Sequence, residues 1–85
     1  MPESASDKNA LRAFGTAVSE LRTEYNMSVS QLAITAGTTA KRIGQLEAGQ
    51  LDPPFDLMLA VADALNVRAS TIIFRASRHE QRKDL

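Results

Sequence analysis

From Met27 to Pro53 the chain reads Met-Ser-Val-Ser-Gln-Leu-Ala-Ile-Thr-Ala-Gly-Thr-Thr-Ala-Lys-Arg-Ile-Gly-Gln-Leu-Glu-Ala-Gly-Gln-Leu-Asp-Pro. Two helix-sized runs are joined by a turn at Gly37 and closed by a second glycine, Gly49. Ser28-Val29-Ser30-Gln31 matches the capping box, in which a serine hydroxyl and a glutamine side chain each satisfy a free amide at a helix start. Leu32, Ala33 and Ala36 line the inner side of the first run, and the small alanines let a second helix cross closely. Thr38 or Thr39 caps the second run. It turns Ile43 and Leu46 inward and ends near Ala48-Gly49. This is the spacing of a helix-turn-helix, the motif that places its second helix in the DNA major groove.

Working outward, Leu11, Phe14, Val18, Leu21 and Tyr25 recur three and four apart. They predict a helix from about Lys8 to Tyr25. Asp7 or Ser6 is the expected N-cap, and Asn26 stands where a helix often exits through a left-handed residue. On the other side, Pro53-Pro54 stop any helix before them and suit the start of the next. Phe55, Met58, Val61, Ala62 and Leu65 supply a fourth apolar face. Asn66 repeats the left-handed exit, Val67 tucks back, and a fifth helix is expected over about Ala69 to Arg75 or further. No stretch alternates like a strand. The fold class is all-α with five helices, organised as a polar tail over 1–9, a domain over 10–75 and a basic polar tail over 76–85.

Bulk properties narrow the functional classes. Eighty-five residues make one small domain, which amphipathic helices can stabilise unaided. No cysteine is present, so neither disulfides nor thiolate metal sites arise. No apolar run approaches the roughly 20 residues of a membrane span, and Met1 to Asp7 lacks the apolar stretch of a signal peptide. A cytoplasmic protein with no membrane association is the expectation. Ten basic and ten acidic residues cancel, so the strong basic balance of many nucleic-acid binders is absent. Charge is mildly sorted: Asp52, Asp56 and Asp63 face only Arg68 in the fourth-helix region. Arg75, Arg78, Arg82 and Lys83 outnumber Glu80 and Asp84 at the end.

The run Phe14-Gly15, Val18, Leu21-Arg22, Met27-Ser28, Leu32-Ala33, Gly37, Ile43, Leu46-Glu47, Gly49, Pro53, Ala62, Leu65 and Val67 resembles the lambda-repressor-like, Cro/C1-type (XRE) helix-turn-helix family. The resemblance covers about residues 10 to 75. Gly37-Thr38-Thr39 and Gln45-Leu46-Glu47-Ala48-Gly49 look especially like lambdoid phage repressors. It implies a five-helix domain that binds double-stranded operator DNA as a homodimer and regulates transcription. It also implies that residues opening the third helix read base edges. Those are Thr39, Ala40, Lys41 and Arg42, with Gln45 one turn on and Gln50 in the loop beyond. Arg22 and Glu47 match the family's internal ion pair. Three positions depart from the pattern. Val29 stands where the family often has glutamine, Gly44 interrupts the third helix, and Gln50-Leu51-Asp52 offers no base to a phosphate.

Each assignment has a plainer counterpart. Lys41 and Arg42 are typical phosphate and guanine readers, or else a solvated face. Gln45 can pair with adenine, and Ala40 can offer a methyl to thymine. Gly44 either permits close approach to DNA or is a tolerated surface residue. Arg22 and Glu47 read as structural. His79 reads as surface, since a metal site needs companions absent from its neighbourhood. Arg78, Arg82 and Lys83 read as a solvated tail, with a basic arm on DNA as the minority view. Ile72, Ile73 and Phe74 are three consecutive apolar residues, which one helix cannot bury in one small core. Ile72 is assigned to the core. Ile73 and Phe74, with Leu57 poorly placed for the core, are assigned to a dimer contact.

No cofactor, metal or enzymatic activity is expected, since the chain lacks a phosphate-cradling loop and paired carboxylates beside a base. The leading reading is a dimeric repressor that binds a palindromic operator. The competing one is an adaptor or antitoxin that uses the same fold mainly for protein–protein contact.

Overall fold

A computed structural model describes residues 3–82. It has five helices: α1 (Glu3–Glu24), α2 (Val29–Ala36), α3 (Ala40–Glu47), α4 (Phe55–Ala64) and α5 (Ala69–Arg82). No strand occurs among the described residues, so the all-α class holds.

Local chemistry fixes the helix ends. At the start of α2 the Ser28 hydroxyl accepts from Gln31 N–H at 3.0 Å, and the Gln31 side chain accepts from Ser28 N–H at 2.8 Å. This is the complete capping box. Thr39 begins α3 by accepting from Arg42 N–H at 3.1 Å. The first four helices all leave by one device. Asn26, Gly37, Gly49 and Asn66 take positive φ between 58 and 76°. The next residue's amide then donates to the carbonyl five positions back: Met27 to Arg22, Thr38 to Ala33, Gln50 to Gln45 and Val67 to Ala62. Glycine and asparagine tolerate the left-handed conformation that this exit requires.

The core is continuous through all five helices. Val18, Leu32, Ile43, Leu46, Val61, Leu65 and Ile72 are essentially sealed from solvent. At roughly 1.5–3 kcal/mol for each fully buried aliphatic side chain, this cluster is the main source of stability. α1 lies along α5 and also crosses α3, while α2 packs on α3 and α4. The α1–α3 crossing is tight enough to demand a glycine. A Cβ at Gly15 would strike the Leu46 carbonyl oxygen and lie 2.7 Å from that of Glu47. α4 and the Ala69–His79 part of α5 meet at 101°. No single helix among the described residues is long and apolar enough to cross a membrane.

Several sequence expectations are corrected here. α1 runs through Ser6 and Asp7 rather than being capped by them, because no breaker separates Glu3 from the apolar stripe. α1 ends at Glu24, which leaves Tyr25 exposed beyond it. α4 buries Leu57, 7 % exposed, and leaves Phe55 outside. The reason is phase: Leu57 stands one and two turns before the buried Val61 and Leu65, on the core side, with Ala62 buried beside them and Met58 packed against the core, while Phe55 opens the helix outside it. Leu57 is therefore a core residue, unavailable to a partner. α5 continues seven residues past Arg75, to Arg82, and Ala76 joins the core, so the boundary drawn at 75/76 falls inside a packed helix. Of the residues assigned to a basic tail, Arg78 is on this helix. Lys83 and the side chain of Arg82 lie outside what the structure describes.

Candidate nucleic-acid interface

α3 is eight residues long and sharply two-sided. Ile43 and Leu46 are buried, and Glu47 is half-buried. Ala40, Lys41, Arg42 and Gly44 are exposed, and Gln45 is half-buried on the flank. No ion pair or side-chain hydrogen bond among the described residues engages the Lys41, Arg42 or Gln45 side chains. Their donors are thus open to a ligand. A patch with two free cations, one amide and no carboxylate turned outward suits an anionic polymer carrying base edges. Gln50 is exposed just past the helix. Thr39 is exposed too, but its oxygen is already committed to the cap. Only its hydroxyl proton remains to offer a phosphate.

The opposite side of α3 is tied down. Arg22 Nε donates to Glu47 Oε2 at 2.8 Å, and Nη2 to Oε1 at 3.2 Å. The third arm, Nη1, donates to the Met27 carbonyl at 2.8 Å. One guanidinium thus fastens α1, the lead into α2 and the end of α3. The pair is only part-buried, with side chains 17 % and 12 % exposed. Hydrogen bonding to Glu47 outweighs desolvation and raises the Arg22 pKa further above its ordinary value.

The departures from the family pattern now have places. Val29 opens α2 half-buried against the core, so it acts as an apolar anchor there. Gly44 has no positive φ, and a Cβ there would meet nothing within 4 Å. The fold does not need this glycine, although it costs α3 about 1 kcal/mol relative to alanine.

A second polar cluster was missed by sequence reasoning. Arg75 Nη1 lies 3.4 Å from Glu20 Oε1 and also pairs with Glu24, while His79 Nε2 lies 3.1 Å from Glu20 Oε1. His79 is therefore not merely surface. The available signal was two i, i+4 pairs, Glu20/Glu24 and Arg75/His79, on helices that prove to be neighbours. The hydrogen bond from His79 is the largest cause holding the Glu20 carboxyl below its ordinary value, with Arg75 adding to it against desolvation. No group of three or more metal-ligating side chains is found among the described residues.

Ile72 is sealed in the core, whereas Ile73 is 52 % and Phe74 65 % exposed. Phe55 and Leu59 of α4 are also exposed.

Comparison with known proteins bears on this geometry. Residues 18–72 match the helix-turn-helix family model. The chain is 32 % identical over 66 residues to the HTH-type transcriptional regulator SutR of Escherichia coli (strain K12). The match covers 78 % of this chain and 37 % of that regulator, so the chain spans little more than a third of its length. The restriction-modification controller protein C.AhdI from Aeromonas hydrophila superposes with a TM-score of 0.72 at 31 % identity, covering 73 % of this chain and 94 % of that one. The clp gene regulator ClgR from Corynebacterium glutamicum superposes at 0.83 with 18 % identity over 88 % of this chain and 81 % of its own, a likeness of fold alone. Family match, relatives and helical geometry agree: the chain belongs to the Cro/C1-type helix-turn-helix family.

Proposed function

We propose that this chain binds double-stranded DNA sequence-specifically in the cytoplasm as a homodimeric repressor of a palindromic operator. α3 enters the major groove, and Lys41, Arg42 and Gln45 make the contacts. Thr39, Ala40 and Gln50 border that surface. The observation that carries this reading is the two-sidedness of α3. Its inner side is immobilised by Ile43, Leu46 and the Arg22–Glu47 pair, while its outer donors have no partner among the described residues. A rigid element carrying unsatisfied donors is what base readout needs. The zero net charge implies modest affinity per monomer, and two copies on one site compensate for that.

Selection of bound sequences from a random duplex pool tests this. A palindromic consensus is the expected result, with affinity falling linearly in log–log form as salt rises. Recovery of no consensus overturns the reading. It would leave the adaptor or antitoxin alternative, in which the same domain works by protein contact.

A further inference from the structure

Three of the four glycines are explained by the fold. Gly15 sits at a helix crossing where a side chain would strike backbone, and Gly37 and Gly49 take positive φ. Gly44 has neither reason. It lies inside α3 with ordinary helical backbone, is exposed, and has open space where a Cβ would stand. Its neighbours one helical turn away, Ala40, Lys41 and Ala48, are exposed as well. The free protein would gain helix stability from alanine at this position. A glycine that weakens its own helix and relieves no clash within the fold is explained by what approaches the helix from outside.

We propose that Gly44 is a positioning residue for the DNA complex. Its bare α-carbon lets the backbone of α3 seat against the base edges at the depth from which the shorter Gln45 side chain reaches them. Glycine is the residue that permits such close backbone approach to a ligand. The inference rests on the DNA-binding reading above and adds the depth of insertion to it. A methyl at this position stands between helix and groove and lifts α3. Lys41 is long enough to follow the phosphates across the added gap. A base-edge contact from a shorter side chain is not. The loss therefore falls on discrimination between sequences rather than on general attraction to DNA.

The test uses the full chain, the duplex that the wild type selects from a random pool, and an unrelated duplex of equal length. Gly44→Ala and Gly44→Leu are compared with wild type by dissociation constant on both duplexes at fixed salt, and by thermal melting. Gly44→Ala should melt higher than wild type yet bind the selected duplex about tenfold more weakly. Its affinity for the unrelated duplex and its salt slope should be unchanged, and Gly44→Leu should lose more. A Gly44→Ala protein that melts higher and binds the selected duplex as tightly as wild type overturns the proposal. So does one that melts lower, since the fold would then need the glycine. If wild type selects no sequence, the DNA-binding reading itself has failed and Gly44 loses its role with it.

Discussion

Arg22 grips Glu47 side-on, with Nε to Oε2 at 2.8 Å and Nη2 to Oε1 at 3.2 Å, while its remaining arm holds the Met27 carbonyl. The contact joins α1 to the last residue of α3 and sets where the outer donors of that helix point. Removing Glu47 leaves a guanidinium that is largely out of water without its anion. Glu47→Ala should cost roughly 2–4 kcal/mol, somewhat less than breaking a fully buried pair. At about 4–8 °C per kcal/mol for a domain of this size, calorimetry should show the melting temperature falling by about 8 °C or more. Glu47→Gln keeps a hydrogen-bond acceptor and should fall less. A Glu47→Ala midpoint within about one degree of wild type would show that the pair is only decorative.

The second inter-helix cluster responds to acid. Glu20 faces Arg75 and His79 on α5, with Arg78 bordering the same hollow and Glu24 one turn along α1. Its carboxyl is held below the ordinary value of 4.5, first by the hydrogen bond from His79. A carboxyl whose pKa is lower folded than unfolded adds stability above the unfolded value. It loses that stability as pH falls through the folded one. Wild type should therefore melt higher than Glu20→Gln near neutral pH, and the gap should close below about pH 4.5. The effect is modest, because the Glu20 side chain is partly exposed to solvent. A gap that stays constant from neutral pH into the acid range would refute the assignment.

How much of this was legible beforehand followed the range of the interactions. The Ser28–Gln31 box, the glycine and asparagine exits and the inward Ile43 and Leu46 are local features, and the sequence displays them directly. The extent of α5 was not legible. Arg75 and His79 find their partners on α1, more than fifty positions away, and alone they read as a polar tail. Leu57 was misassigned because α4 is apolar around most of its circumference, so which side faces the core is set by tertiary packing rather than by local pattern. The need for a glycine at position 15 comes from carbonyl oxygens of Leu46 and Glu47, which no local pattern announces. On the interface, the types and positions of Lys41, Arg42 and Gln45 were visible. Their freedom from partners among the described residues, and the open space at Gly44, are set by tertiary packing that no local pattern announces.

Lys41 and Arg42 should separate by the kind of loss they cause. If Arg42 reads a guanine, Arg42→Ala costs about 1–3 kcal/mol and relaxes preference at one base pair of each half-site. Lys41→Ala, removing a phosphate contact, should weaken all duplexes alike and lower the salt slope by about one. Fluorescence anisotropy on the selected operator and its single-base variants at several salt concentrations distinguishes these outcomes. If Lys41→Ala, Arg42→Ala and Gln45→Ala combined leave operator affinity intact, α3 is not the reading element.

The proposed homodimer places its contact on Ile73 and Phe74. Both are more than half exposed on α5, directly beside Ile72, which the core takes completely. Leu57 is withdrawn from this contact by its burial, whereas the exposed Phe55 and Leu59 on α4 remain open to it. A two-fold interface would carry the two α3 helices to about 34 Å apart, one turn of B-DNA, and match a palindrome. Ile73→Asp with Phe74→Ser should therefore yield a monomer at tens of micromolar by analytical ultracentrifugation, where wild type sediments as a dimer. Neither side chain belongs to the core, so the doubly substituted chain should keep its helical circular dichroism and melt near the wild-type temperature. It should still touch one half-site, weakly, and lose the steep affinity of the full operator. A wild-type chain that stays strictly monomeric, both free and on DNA carrying two half-sites, would falsify the dimer and favour the protein-contact alternative.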